Sequence, residues 1–425
     1  MTTAAPLVAA PSRLRRNVLS GYALQITGYL IPLATLPFLV RTLGPVEYGR
    51  MAFAYGGLFF AVLLVDAGFN TRAARVLAGG QRTLLETSAV YAVTSWLKAS
   101  LALLVLALLS ASAAILALPQ EDFALLLASY LLVLGSVAFP TWLFQGLEEM
   151  HHTTACALAG RLLVTLGLFC YIDGPDDLLL AATLQAAGTL TSGVLAMPVV
   201  RRLGLTLNPP RNLFRAEMRR AVSESWRLGV AEYASRVLAN GGVFLLGFFV
   251  AGPALGIFAA IEKLAMAITS LQRPLLRALF PRVSHLWTTD PAMAHRVCIN
   301  ASCWLSAAAA AGSLVAMALA PTMLDALFGA AIASHADLLR VLCIWIPAVM
   351  GSELITQLWL LAPGHQDHYS RISTPFTFIH SLALITGAAV GGALGLCVAL
   401  AAGEVLHCAL LGMTAHRLHT KEHTS

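Results

Sequence analysis

The chain has 425 residues, of which 58% are hydrophobic and 11% charged, and its mean hydropathy is +0.77. Soluble domains carry about 25% charged residues, so this composition excludes an ordinary soluble enzyme. At about 20 apolar residues per helical span plus a connection, the length accommodates about twelve spans, and the long apolar runs lack the alternation of an outer-membrane barrel.

The formal net charge is +6, and in such a chain the placement of the cations matters more than their sum. An uncharged start, residues 1–10, and then Arg13, Arg15 and Arg16 precede a span too long for a signal-peptide core, so no cleaved signal is expected. Apolar runs predict spans near 18–40, 51–69, 97–117, 123–145, 153–172 and 178–200. A second set lies near 227–250, 254–280, 299–321, 338–361, 372–391 and 393–415, the last two readable as one interrupted hairpin. Pro32 and Pro37 fall inside the first long span and predict a broken or hinged helix there. Cys156, Cys170, Cys298, Cys303, Cys343, Cys397 and Cys408 are odd in number, lie mostly in apolar runs and form no Cys-x-x-Cys pair, so they read as packing residues.

With the N-terminus inside, internal connections hold Arg72, Arg75, Arg82, Arg201, Arg202, Arg211, Arg215, Arg219, Arg220, Arg282, Arg296 and Arg371. External connections carry mainly acids, Arg41 and Arg50 excepted, and this asymmetry predicts an even span count with both termini cytoplasmic. The polar stretch 201–226 divides an N-terminal six-helix bundle, residues 1–200, from a C-terminal one, residues 227–425, as a basic cytoplasmic linker. Gly44, Pro45, Gly49 and Ala52 recur in type and near-spacing as Gly252, Pro253, Gly256 and Ala259, a weak internal repeat suited to a transporter built from two halves. The fold class expected is therefore all-α, a polytopic membrane protein of two bundles.

Ionisable residues inside spans cost at least about 2.5 kcal/mol each and usually face a bundle interior or watery cavity. In the seventh span Ser225, Gly229, Glu232, Arg236 and Asn240 share one helix face, and Glu232 can pair with Arg236. In the eighth Glu262, Met266, Thr269, Arg273 and Arg277 do so. In the first Tyr22, Gln25 and Tyr29 do so without charge. Arg273 and Arg277 also read as the collar of a long helix, snorkelling to headgroups. Arg161 is either a cavity cation or a partner for Asp66, and Asp66 itself reads as an anchor for the Arg72 and Arg75 loop. Glu353, Glu404, His407 and His380 are candidate proton or cation sites, with a local Glu404–His407 bond as the structural alternative. No phosphate loop with lysine and no His-Glu-x-x-His motif occurs, so no cofactor and no metal is expected.

Particular strings carry a resemblance. The run Pro32 to Gly49, then Val65, Asp66, Ala67, Gly68, Phe69 with Arg72 and Arg75, resembles the opening of the Wzx-type polysaccharide flippases. More specific is Pro140, Thr141, Trp142, Leu143, Phe144, Gln145, Gly146, Leu147, Glu148, Glu149, Met150, similar to that family's Pro-x-Trp-Leu-Phe-Gln-Gly-Leu-Glu motif. Gly256 to Lys263, Pro281 with Ser284, and Gly392 to Glu404 fit as well. Ala67 departs from the usual aromatic. The resemblance places the chain in the multidrug, oligosaccharidyl-lipid and polysaccharide exporter superfamily and implies twelve helices in two bundles around a central cavity.

It also implies translocation of undecaprenyl-pyrophosphate-linked oligosaccharide across the bacterial inner membrane by alternating access, without enzymatic chemistry. Implied partners are that glycan, the bilayer, and polysaccharide polymerase and chain-length machinery; no nucleic acid is expected, and the chain reads as a monomer. A lipid diphosphate needs cations in a cavity open to the membrane, and arginine's planar fork meets two phosphate oxygens at once. The candidates in order are Arg236, Arg161, Arg273 and Arg41. Tyr22, Tyr29 and Trp142 are candidates to stack on sugar faces, with aromatic packing as the alternative. An exporter of small cationic compounds would need a mainly acidic cavity. A membrane polysaccharide polymerase or ligase would need a sizeable external loop, which is missing here.

Overall fold

The computed structural model describes residues 11–80 and 82–422, with side-chain surroundings for all of these except 11–27, 29, 30, 227, 228, 230–240, 421 and 422. The described residues are helical, in chain order: α1 (Pro11–Asp66), α2 (Phe69–Ala78), α3 (Leu84–Ile115), α4 (Gln120–Ser129), α5 (Leu131–Ala138), α6 (Thr141–Gly146), α7 (Met150–Tyr171), α8 (Leu178–Arg202) and α9 (Arg211–Asn240). The chain continues through α10 (Gly242–Leu246), α11 (Pro253–Ser270), α12 (Arg273–Thr289), α13 (Pro291–Ala318), α14 (Ala320–Phe328), α15 (Ala330–Ala333), α16 (Ala336–Leu354), a π-helical turn at Ile355–Leu361 and α17 (Gln366–Glu422).

Among the described residues nine segments are long and apolar enough to cross a membrane. Two of them bend sharply, α1 at Gly44 and α17 at Gly392. Counting their arms separately, with α9 and α10 as one more, gives about twelve crossings, as expected. The protein is a multi-pass α-helical membrane protein.

The break in α1 falls at Gly44 (φ 76°, ψ 165°), while Pro32 and Pro37 stay in helical dihedrals. A positive φ of this kind is open to glycine at little steric cost, and Pro45 then starts the next arm with its missing N–H harmless at a helix start. α17 is the interrupted hairpin: Gly392 (φ 57°) reverses the chain, and a methyl placed on Gly387 would stand 2.6 Å from the Gly395 carbonyl oxygen, so the two arms touch at backbone distance.

α3 begins at residue 84, well before the expected 97, because Thr83 and Glu86 form a capping box: the Thr83 N–H donates to Glu86 Oε2 at 2.9 Å, and the Glu86 N–H to Thr83 Oγ1 at 3.3 Å. The expected linker 201–226 is largely helical. α8 runs on to Arg202 and α9 starts at Arg211, with Glu217, Ala221 and Ser225 buried one turn apart and Arg211, Arg215, Arg219 and Arg220 exposed.

By contacts the chain divides into one unit of residues 1–35 with 54–239 and another of 36–53 with 240–425. The charge-based division at 200 and 227 thus differs from the contact-based one, which gives the middle of α1 to the second unit and nearly all of α9 to the first. In the first unit α8 packs against α4, α5 and α7, and α2 against α6; in the second α16 packs against α11, α13 and α17. The Pro140–Met150 motif builds a corner of the first unit. Trp142, Leu143 and Phe144 are buried in a core with Ala73, Leu77, Val90 and Val200. Gly146 lets α6 close on α2, since a methyl there would lie 2.6 Å from Leu77 Cβ.

Candidate functional site

Several charged groups inside the helices are paired within each unit. In the first, α1 ends at Asp66, and positive φ at Ala67 and Gly68 turns the chain sharply into α2. Lys98, in α3 and 1% exposed, brings its Nζ to 2.7 Å from Asp66 Oδ1 and donates to Asn70 Oδ1 at 3.0 Å and to the Ser136 carbonyl at 2.7 Å. Asp66 therefore pairs with Lys98, and neither Arg161 nor the Arg72 and Arg75 loop is the partner shown for it. Sequence reasoning passed over Lys98, because a span expected from residue 97 puts it at the helix mouth, whereas α3 runs over 32 residues from Leu84.

Arg72 turns instead to α9. Its Nη1 donates to Glu217 at 2.5 Å and its Nε to Glu224 at 2.8 Å, with Arg72 and Glu217 both buried. Beside this clamp α9 reaches backbone distance, a methyl on Gly229 standing 2.5 Å from the Ala67 carbonyl carbon. The polar face of the seventh span thus begins, at Ser225 and Gly229, as packing surface. Farther along that face, the side chains of Glu232 and Arg236 lie outside the described residues, as do those of Gln25 and Tyr29 on α1.

Arg161 stands on α7 against α1: a methyl on Gly28 would be 3.2 Å from its Nη1. That nitrogen is buried and has no hydrogen-bond acceptor among the described residues. Asp66 is therefore not the partner of Arg161.

In the second unit Arg273 and Glu353 meet. Glu353, on α16, accepts from Arg273 Nε at 3.3 Å and from Gln272 Nε2 at 3.0 Å, and Gln272 also donates to the Met350 carbonyl. The expected stripe of the eighth span is divided, for α11 stops at Ser270 and α12 starts at Arg273, leaving Glu262 and Thr269 buried and Arg273 half-exposed.

One residue before Glu353, Ser352 donates to Glu404 on α17. His407 Nδ1 lies 3.5 Å from Glu404 Oε1, its Nε2 is 3.1 Å from Ser373 Oγ, and the Phe376 ring stacks on it at 4.7 Å. His380 Nε2 lies 3.3 Å from the Ala399 carbonyl oxygen. A π-helical turn follows α16 directly, a distortion frequent at functional sites.

Arg41 reaches the end of α14. Its Nη2 donates to the carbonyls of Asp325 at 3.2 Å and Ala326 at 2.5 Å, capping the last turn of α14. Trp142, 2% exposed beside Tyr91, is core.

The architecture is shared with solved membrane transporters. The inward-facing conformation of a multidrug resistance MATE family transporter of the MOP superfamily matches with a TM-score of 0.69 and 12% identity over 96% of this chain and 99% of that one. The lipid II flippase MurJ, in an inward closed conformation, matches with a TM-score of 0.70 and 10% identity over 94% of this chain and 87% of that one. At such identities the likeness is one of fold, and it defines the class as a helical membrane protein of that fold. Within that class, residues 14–287 match the family model described as polysaccharide biosynthesis protein, and the chain belongs to that family.

Two relatives carry the name "Putative O-antigen transporter". The one from Escherichia coli (strain K12) is 28% identical over 273 residues, 64% of this chain and 65% of the relative. The one from Shigella dysenteriae is 24% identical over 400 residues, 92% and 98% respectively. The first match thus spans just under two thirds of its relative, the second nearly all.

Proposed function

We propose that the protein moves undecaprenyl-pyrophosphate-linked oligosaccharide repeat units from the cytoplasmic to the periplasmic leaflet of the bacterial inner membrane, by alternating access and with both termini cytoplasmic, for surface polysaccharide assembly. Family membership supports the class of cargo. The observation that carries the reading is Arg161, an arginine within a membrane-crossing helix whose Nη1 is enclosed yet meets no acceptor among the described residues. A guanidinium held in this way suits a diphosphate, which hydrocarbon will not accept, and it repels a cationic drug. The glycolipid's tail stays in the bilayer, and the polymerase and chain-length machinery receive the delivered unit from a monomeric flippase.

The test is complementation of a deletion strain with the native chain, Arg161→Ala and Arg161→Lys, reading surface polysaccharide and accumulated lipid-linked oligosaccharide by mass spectrometry. The native chain restores export. Arg161→Ala, present at normal level in the membrane, leaves the lipid-linked unit accumulated, and Arg161→Lys restores part, since an ammonium lacks the two-pronged fork. Full export by Arg161→Ala would remove the proposed role of this arginine. A deletion strain that accumulates no lipid-linked glycan would remove the function itself.

A further inference from the structure

The cluster around Lys98 has the chemistry of a cation site. Three oxygens of different origin converge on its Nζ: a carboxylate from Asp66 at the end of α1, an amide oxygen from Asn70 on α2, and the backbone carbonyl of Ser136 on α5, at 2.7, 3.0 and 2.7 Å. Each is presented by a separate local cause. The Ala67–Gly68 turn, with φ of 39° and 78°, separates Asp66 from Asn70, and both reach the same Lys98 Nζ. Ser136 lies in the last turn of α5, where its carbonyl would ordinarily accept from the N–H four residues on. That residue is Pro140, which has no N–H, so the carbonyl is left for another donor. It also belongs to the negative end of the α5 dipole.

A carboxylate, an amide oxygen and a freed helix carbonyl are hard oxygen ligands of the kind that bind alkali and alkaline-earth cations. Here the cation is part of the chain. Lysine's ammonium has three hydrogens and no acceptor; it donates to Asn70 and the Ser136 carbonyl and stands in ionic contact with Asp66 Oδ1, which accepts no hydrogen bond among the described residues, and at 1% exposure it has no surface to offer a transported molecule. The distances of 2.7–3.0 Å from Nζ to the oxygens suit an ion of potassium or ammonium size better than the smaller sodium.

We propose that Asp66, Asn70 and the Ser136 carbonyl form a monovalent-cation site whose occupant is the tethered Lys98 ammonium, so that this unit keeps Asp66 charged and compensated without taking up free Na⁺ or K⁺. Asp66 is then a fixed counter-ion, and any coupling ion acts elsewhere. The proposal is independent of the cargo, because it is read from the protein alone.

It predicts that deleting the lysine side chain converts a cation-indifferent protein into a cation-dependent one. The native chain and Lys98→Ala are purified, and thermal midpoints are measured in potassium, sodium and choline chloride at equal ionic strength. The native midpoint is the same in all three. Lys98→Ala melts lower in choline and recovers by about 2–4 °C, saturably, in potassium and less in sodium, since a ligand that binds only the folded state raises its stability. A folded Lys98→Ala protein with equal midpoints in all three salts would overturn the proposal. Should Lys98→Ala fail to accumulate in membranes, the double variant with Asp66→Asn decides. Recovery of the protein level supports a site made costly by one uncompensated carboxylate, and no recovery overturns it.

Discussion

Gly49 and Gly256 meet backbone to backbone: a methyl built on Gly49 would stand 2.7 Å from the Gly256 nitrogen, and one on Gly256 would run into the Pro45 carbonyl. These are the glycines that follow the two recurring Gly-Pro turns, at Gly44 and Gly252, both of positive φ. The weak repeat read from the sequence is thus a contact within the second unit. Because the obstacle is main chain that cannot swing away, Gly256→Ala should destabilise the protein by about 1–3 kcal/mol. Thermal midpoints of the purified variants measure this, and Gly312→Ala, with nothing near its Cβ position, should be close to neutral.

The Arg72 clamp separates a buried acid from an exposed one. Glu217 is 7% exposed and Glu224 52%, although both bond the same guanidinium. Removing one partner of a buried pair leaves a bare charge and costs about 3–5 kcal/mol, whereas an exposed pair is worth about 0–1 kcal/mol. Glu217→Ala should therefore sharply reduce membrane accumulation and Glu224→Ala should not. Equal effects from the two would show that burial does not govern this contact.

How far the sequence carried depended on whether a signal was local. Gly44-Pro45, Gly391-Gly392 and Thr83 with Glu86 announce breaks and starts through their own backbone chemistry; the expected spans end and begin around the first two, although the hinge of the first helix is expected at Pro32 and Pro37 rather than at Gly44. The capping box was missed, and a span begun at residue 97 instead of 84 leaves Lys98 at its mouth, where a charge needs no explanation. Placed inside α3, the same lysine demands partners. Partner choice was the illegible part: that Asp66 takes Lys98, that Arg72 takes Glu217, and that Arg41 caps α14 depend on helices brought together from distant sequence. Arg273 with Glu353, 80 residues apart, could be shortlisted as charges but not paired.

For Trp142 the sequence leaves sugar stacking and aromatic packing open, and the side chain is packed in the core. It is enclosed with Leu143 and Phe144 where α6 meets α2. Trp142→Ala should cost about 3–5 kcal/mol by the cavity it leaves, seen as loss of protein and a lowered midpoint. Trp142→Phe, which keeps an aromatic in the core, should retain both accumulation and export. Normal protein level with lost export in Trp142→Phe would instead assign the indole to the cargo.

The two candidate coupling acids of the second unit, Glu353 and Glu404, differ in what holds them, and that difference separates their expected roles. Glu353 is bound by Arg273, a permanent cation, and by Gln272. Glu404 is bound by Ser352 and His407, whose own second nitrogen faces Ser373. A carboxylate facing arginine has a partner that never changes charge. Glu404 instead faces a hydroxyl and an imidazole, neither of them a fixed cation. If a proton gradient biases the resetting of the transporter, Glu404→Gln, which keeps an oxygen for Ser352 but cannot ionise, should flip substrate at a rate indifferent to an imposed gradient. Glu353→Gln should keep the gradient response and lose about 1 kcal/mol of stability or less, because its pair is half-exposed. Proteoliposomes with an imposed proton or sodium gradient read both variants beside the native chain. A gradient response unchanged in Glu404→Gln would make the histidine contact purely structural, and flipping by the native chain that ignores both gradients would end the coupling role of either acid.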